Sequence, residues 1–268
     1  MMYLTRTESA DFLAAHDHYL ILTHTRPAGD TIGSAAALCL GLRSLGKNAH
    51  ILENKGVSPR FRWLHEGLTV TEAAEGSCIV SVDVASPGML PEEFRPLLGR
   101  IRLRIDHHSS ATSFTDCELV DGCSASCAEV VYDVLTLLGC QLDKAMAEAI
   151  YVGASTDTGC FRYANTTAHT FTVAAACAQA GARVYELNQE LFETNTLARL
   201  KMQGWIVDHM QMLDGGNMAV CAIPGYDATK ITEKFGGGGH KGAAGASLKM
   251  PLEEAAKAVA AEMEKLAL

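Results

Sequence analysis

Basic residues are in deficit in this chain, 22 Lys and Arg against 31 Asp and Glu, for a formal net charge of −9. That balance excludes a sequence-independent footprint on long duplex DNA, which requires a basic surface. It does not exclude a short nucleotide, because bound divalent ions reverse a local negative field. Long apolar runs are also missing. Nothing approaches a membrane span, and Leu20-Ile21-Leu22 is too short for a secretory h-region, so a cytoplasmic protein that does not engage membranes is expected. Aromatic residues are only 6% of the chain; Trp63 and Trp205 are read as packing residues, since no spacing marks a base-stacking series. The nine cysteines lack paired metal-ligand spacing, with Cys123 and Cys127 coming nearest, and read as reduced thiols packed as small apolar groups. No internal repeat or low-complexity tract is present.

What remains is a chain of 268 residues, 48% apolar and 20% charged, long enough for one large domain and a smaller companion. Strand and helix patterns alternate. Residues 19–23 form a short apolar strand, residues 31–45 an alanine-rich helix stopped by Gly46, and residues 49–52 a second strand, together a βαβ unit. Residues 78–82 are a β-branched run ending at Asp83. Ile101, Leu103 and Ile105 alternate with Arg100, Arg102 and Arg104, which predicts a strand with one wet face and a solvated arginine row. Helices are expected over 125–138, 144–153, 168–180 and 196–212. Asp214-Gly215-Gly216-Asn217 then signals a turn, followed by a strand at 218–223, a short helix at 230–235, a strand at 243–248 and a closing amphipathic helix at 252–266. The expectation is an α/β fold: a parallel sheet flanked by helices, a helical connector and a smaller mixed α/β C-terminal domain, with the boundary in or near residues 196–212.

The chemistry gathers where such a sheet places it. Functional groups in an open parallel sheet collect outside the carboxyl ends of the strands. His24, Asp83 and the tripeptide Asp106-His107-His108 each follow an apolar strand. Asp30 stands at the start of the next helix as an N-cap beside Thr31, and Asp157 lies in the turn Ser155-Thr156-Asp157-Thr158-Gly159. Singly, each has a bland reading as a cap, a strand end or a turn. Together they offer the carboxylate oxygens and imidazole nitrogens expected of a site for manganese or a similar divalent ion. Ser34 serves the helix start, since no general base is placed for it, while Tyr163, close after Asp157, is a candidate to touch substrate.

Several spaced motifs in order then carry a resemblance: His24-Thr25-Arg26-Pro27-Ala28-Gly29-Asp30, Ser81-Val82-Asp83, Asp106-His107-His108, Thr156-Asp157-Thr158-Gly159, and Gly236-Gly237-Gly238-Gly239-His240 before Lys241-Gly242-Ala243-Ala244-Gly245. The chain resembles the DHH phosphoesterase superfamily, most of all its oligoribonuclease and 3′-phosphoadenosine-5′-phosphate phosphatase (NrnA-type) group. The resemblance implies a DHH domain over 1–190, a connector over 191–212 and a DHH-associated substrate-binding domain over 213–268. It implies a two-metal hydrolase, usually with manganese and alternatively magnesium, in which ions about 3.5–4 Å apart activate a water for in-line attack on phosphorus. His24 and Asp83 would hold one ion, and Asp30, Asp83, His107 and Asp157 the other, with Asp83 bridging. Asp106 would orient the histidine pair and His108 would face the substrate phosphate, the two serving as catalytic residues. Gly237, Gly238, Gly239, His240 and Lys241 would bind substrate, the glycine run being read as a backbone nest whose amides face an anion. The implied substrates are short single-stranded RNA or 3′-phosphoadenosine-5′-phosphate, with a linear or cyclic dinucleotide as the alternative and a homodimer as the assembly.

Two departures stand against the family pattern. Ala28 occupies a position where the family has a metal-ligand aspartate, and a methyl group cannot ligate. Losing a supporting partner of a ligand costs about 10–100-fold in metal affinity or activity, so losing a ligand costs at least as much. The favoured reading is an introduced inactivating substitution; a natural variant, or a catalytically silent nucleotide-binding protein, is the alternative. The stretch 222–230 is also short and lacks a Ser-Leu-Arg-Ser-like strand, for which Lys230, Lys234 or Arg162 could compensate.

Overall fold

The computed structural model describes residues 2–195, 197–208, 229–240, 243–246 and 252–266. They divide into two compact units, Met1–Thr194 and Asn195–Leu268. The first unit runs β1 (Met2–Tyr3), α1 (Arg6–Ala15), β2 (Tyr19–Leu22), α2 (Gly29–Ser44), β3 (Ala49–Leu52), β4 (Thr69–Val70), β5 (Cys78–Val82), β6 (Ile101–Asp106), β7 (Cys117–Val120), α3 (Cys127–Leu137), α4 (Lys144–Asp157), α5 (Ala168–Gln179) and α6 (Val184–Asn188). Its strands form one sheet of order β1-β7-β6-β5-β2-β3-β4 in which every pairing is parallel.

Burial on both faces explains why the strands read as continuous apolar runs. β2 and β5 are buried at every position, as parallel strands covered on both sides must be. Alternate residues of β2 and β5 serve opposite faces, and an irregularity in the pairing of β5 with β6 puts Ile101 and Leu103 on different faces. Tyr19, Ile21, Val80, Val82, Leu103 and Ile105 join the core beneath α2, α3 and α4, whereas Leu20, Leu22, Ile79 and Ile101 pack with Leu90 and Phe94. The chain goes from β2 outward to β3 and β4, then returns to place β5 on the other side of β2. That reversal makes the crevice above β2 and β5 the topological switch point, where ligands of such sheets bind.

The structure corrects several expectations. Arg104 is not part of a solvated row: it is 1% exposed, and its guanidinium pairs with buried Glu118 at 2.9 Å. The arginine alternation misled because the segments after β5 and β6 close over that face, with the Ala85 and Thr112 carbonyls and the Phe114 ring against Arg104, and β7, which supplies Glu118, itself lacks a clear strand pattern. Helix α4 runs four residues beyond the expected end, so Asp157 is its last residue and not a turn residue. Helix α2 starts at Gly29 with Ala28 as its N-cap, so Asp30 lies within the first turn and does not cap it.

In the second unit, α7 (Leu197–Asp208), α8 (Thr229–Thr232), β8 (Gly238–His240), β9 (Ala243–Gly245) and α9 (Leu252–Leu266) are described. The strands pair antiparallel. The expected turn at 214–217 and strand at 218–223 lie outside the described residues, as does Lys241. Gly236 ends the short helical segment in the left-handed conformation, φ 71°, and the Gly237 amide donates to the Thr232 carbonyl at 2.8 Å. Gly238 and Gly239 then pair in β8. The nest reading is therefore corrected at Gly236 and Gly237, whose amides close a helix end. Among the described residues, no helix is long and apolar enough to cross a membrane, and the cysteines are free thiols.

Candidate active site

The expected ligands meet at the switch point. His24 follows β2, Asp83 follows β5 and His107 follows β6, so neighbouring strands deliver them side by side. Asp30 comes from the first turn of α2 and Asp157 from the end of α4. His107 Nε2 lies 3.5 Å from Asp30 Oδ2, 3.6 Å from Asp83 Oδ1 and 3.5 Å from Asp157 Oδ2. His24 Nε2 is 3.6 Å from Asp83 Oδ2, which puts Asp83 between the two histidines. Ligand atoms of Asp83, His107 and His108 lie within 4.8 Å of one another, as do those of Asp30, His107 and Asp157.

Each side chain is held by its own element. Asp30 is 1% exposed and accepts from the Cys127 and Ala128 amides at 2.7 and 2.9 Å, so the N-terminus of α3 holds its carboxylate. Ser34 donates to the same carboxylate. Asp83 has φ 57°, a left-handed conformation tolerated by aspartate more than by most side chains, and its amide still joins the sheet through Ile105. Thr31 donates to Asp83 Oδ2, while Asp83 Oδ1 is buried without a hydrogen bond. His107 Nδ1 donates to the Ser124 carbonyl at 3.2 Å and His24 Nδ1 to the Thr25 carbonyl at 2.6 Å, which turns Nε2 of each ring toward the carboxylates. Asn54 fixes the loop after β2 by donating to Thr23 Oγ1 and the His24 carbonyl.

Asp106 does more than the tripeptide implies. Fully buried, it accepts from the His107 and His108 amides and from the His108 ring at 2.8 Å. His107 Nδ1 thus pairs with the Ser124 carbonyl, and Asp106 accepts from the His107 amide. Thr31, Asn54 and Ser124 carry no motif signal; only the placement of Thr31 beside Asp30 hinted at a role.

The electrostatics describe a site short of positive charge. Burial, with Asp83 and Asp157 nearby, pushes the Asp30 carboxyl well above its ordinary value. Burial also pushes the Asp83 carboxyl up, but His24, His108 and His107 outweigh this and hold it below the usual range. Burial pulls the His24 imidazole down, yet Asp83 and the Thr25 carbonyl outweigh it and raise the ring. For His108 burial likewise pulls down, while Asp106, Asp83 and Asp157 push it up to about 9. Packed carboxylates, an orphaned buried oxygen and two imidazoles aimed at them fit divalent cations of the oxygen- and nitrogen-binding kind. Ala28, exposed at the helix N-cap and without a capping hydrogen bond, adds nothing to this set.

Fold and cluster together define a class: a parallel α/β protein whose carboxylates and imidazoles converge at the switch point of its sheet. More narrowly, the chain belongs to the DHH family, its residues 18–154 matching the family's N-terminal domain. It is 29% identical to the bifunctional oligoribonuclease and PAP phosphatase NrnA of Thermus thermophilus, over 85% of this chain and 83% of that one. It is 27% identical to the NrnA of Bacillus subtilis, over 86% of this chain and 73% of the relative. A solved exopolyphosphatase-related protein from Bacteroides fragilis shares the fold, with a TM-score of 0.81 over 97% of this chain and 96% of its own at 19% identity.

Proposed function

We propose that this chain is a manganese-dependent phosphoesterase acting on short oligoribonucleotides, on 3′-phosphoadenosine-5′-phosphate, or on both. The observation that carries the reading is the convergence of His24, Asp30, Asp83, His107 and Asp157 on one crevice, His107 within 3.6 Å of three carboxylates. The activities printed for the Thermus and Bacillus relatives support the substrate class. His24 and Asp83 would hold one divalent ion; Asp30, Asp83, His107 and Asp157 would hold the other. Ions bound there supply Lewis-acid activation of water and charge neutralisation at phosphorus.

The chain's own residues do the rest. The α3 amides keep the Asp30 carboxylate aimed inward, and Thr31 fixes the rotamer of Asp83. Asp106 holds the His108 ring by Nδ1, so the other proton of the cation, on Nε2, can be offered to a phosphate or leaving oxygen. The second unit, with Gly238, Gly239 and His240 in its hairpin, is assigned to substrate binding together with Lys241. Short single strands or nucleotides are the substrates and a homodimer is the assembly.

Ala28 favours a second reading, a protein that binds nucleotides without turning them over. Ala28→Asp decides between them. With manganese, and with a dinucleotide, a pentanucleotide, the bisphosphate nucleotide and pyrophosphate as substrates, the revertant should release phosphate or mononucleotide at least 10–100-fold faster than the parent. A revertant that binds nucleotides and stays inert across a range of divalent metals would establish the silent-binder reading instead.

A further inference from the structure

The turn that follows Asp157 is strained in a way that helix termination does not require. Gly159, Cys160 and Phe161 have φ of 55°, 58° and 62°, so three successive residues take the left-handed conformation. L-residues visit that region singly, and runs of it are costly. Such strain persists only where surroundings over-determine it, and it clusters at functional sites. Here the surroundings are visible. Phe161 is held between Tyr151 and Phe171, with ring centroids at 5.8 and 5.7 Å. Its amide donates to Thr158 Oγ1, and that hydroxyl donates to the Ala154 carbonyl. Arg162 Nε donates to the Gly159 carbonyl at 2.7 Å, and Asn165 ties the turn to the Asp157 carbonyl.

The consequence of this geometry is the position of Tyr163. Its ring lies flat enough on Gly159 that a Cβ built there would meet Cζ at 2.3 Å and the Cε atoms at 2.5 and 2.6 Å. Any side chain at 159 would displace the ring. Yet Tyr163 is 58% exposed, so the contact hides little apolar surface and leaves much of the side chain open to solvent, over a glycine two residues beyond Asp157. An exposed aromatic ring packed on the turn that directly follows the candidate ligand Asp157 is the kind of surface on which a nucleobase stacks.

Resting on the phosphoesterase reading above, we propose that Tyr163 is the base-stacking residue that selects nucleotides over inorganic phosphates. The left-handed turn sets the ring, and the ring accepts any base because every base has a π-face.

The test measures binding by the full-length chain in manganese with adenosine 3′,5′-bisphosphate, a dinucleotide and inorganic pyrophosphate. Tyr163→Leu, which keeps an apolar group over Gly159, should weaken both nucleotides by roughly tenfold, the size of one base–aromatic stack, and leave pyrophosphate unchanged. Tyr163→Phe should retain parental nucleotide affinity. Equal weakening of all three ligands, or none, would overturn the platform while leaving the phosphoesterase reading intact. If neither the parent nor Ala28→Asp binds or hydrolyses any nucleotide, that reading fails and takes the platform with it.

Discussion

At the scale of single residues, the site balances charges that could not sit together without help. Asp30 is held far above its ordinary range, and Asp83 below its own, within one cluster. In the metal-free protein the raised Asp30 contributes stability at low pH, and that contribution is lost as pH rises through its folded value. A divalent cation reverses the sense, because its charge favours the carboxylate. His108 gives the cleanest readout. Its folded pKa of about 9 exceeds the ordinary ~6.5, so its stabilising contribution is complete below the ordinary value and is lost as pH rises through about 9. An NMR titration of the His108 ring in metal-free protein should show this raised midpoint, and magnesium should lower it by neutralising Asp83. A midpoint near 6.5 that ignores magnesium would contradict the geometry. Asp83, Asp106 and the motif histidines were legible in sequence because they stand at strand ends, whereas Asp30 and Asp157, in the first turn of α2 and at the end of α4, were legible through the motifs that hold them. Thr31, Ser124 and Asn54 were not, since a hydroxyl, a carbonyl and an amide gain their roles only from what the fold sets beside them.

At the scale of elements, the β6–β7 pair next to the site carries a buried ion pair. Arg104 on β6 reaches Glu118 on β7, donates to the Ala85 and Thr112 carbonyls, and lies 4.9 Å from the Phe114 ring centroid. It thereby joins the loop after Asp83 to the loop after His108. Arg104→Met should destabilise the protein by about 3–5 kcal/mol in denaturant unfolding, because Glu118 would be left buried without its cation. Arg104→Met with Glu118→Gln, which removes the buried charge and keeps an acceptor for the Phe114 and Thr115 amides, should recover part of that loss. Burial pushes Glu118 up, but the Phe114 and Thr115 amides and Arg104 outweigh it and hold it low. Its stabilisation is therefore complete above the ordinary glutamate value and lost as pH falls through the lower folded one, so Arg104→Met should flatten the acid limb of the stability profile. Loss of stability at all pH values without any change in that limb would argue against the pairing. Helix contacts are tight on the same side: a Cβ at Gly153 would meet the Ala128 Cβ at 2.5 Å and Asp30 Oδ1 at 2.9 Å, so α4 approaches both α3 and the site only because that position is bare.

At the scale of the whole molecule, every proposed metal ligand belongs to the unit Met1–Thr194. Residues 1–194 expressed alone should fold and keep a manganese-induced rise in Tm of about 5–10 °C at a hundredfold excess over Kd, with scanning calorimetry as the check. A folded fragment with no metal response would show that the ligand set is incomplete within this unit. The amino-acid sequence by itself determined the alternation of strand and helix, the parallel α/β class and the identity of the charged groups at the strand ends, because periodicity and apolar runs are local properties. Only the tertiary structure decided that Arg104 is buried, that Asp30 is held by the N-terminus of α3, that Asp157 closes a helix, and that Tyr163 lies on Gly159. Those depend on which loop closes over a strand and which helix approaches a backbone, and such contacts join residues as far apart as Asp30 and Ala128, beyond the reach of any local pattern.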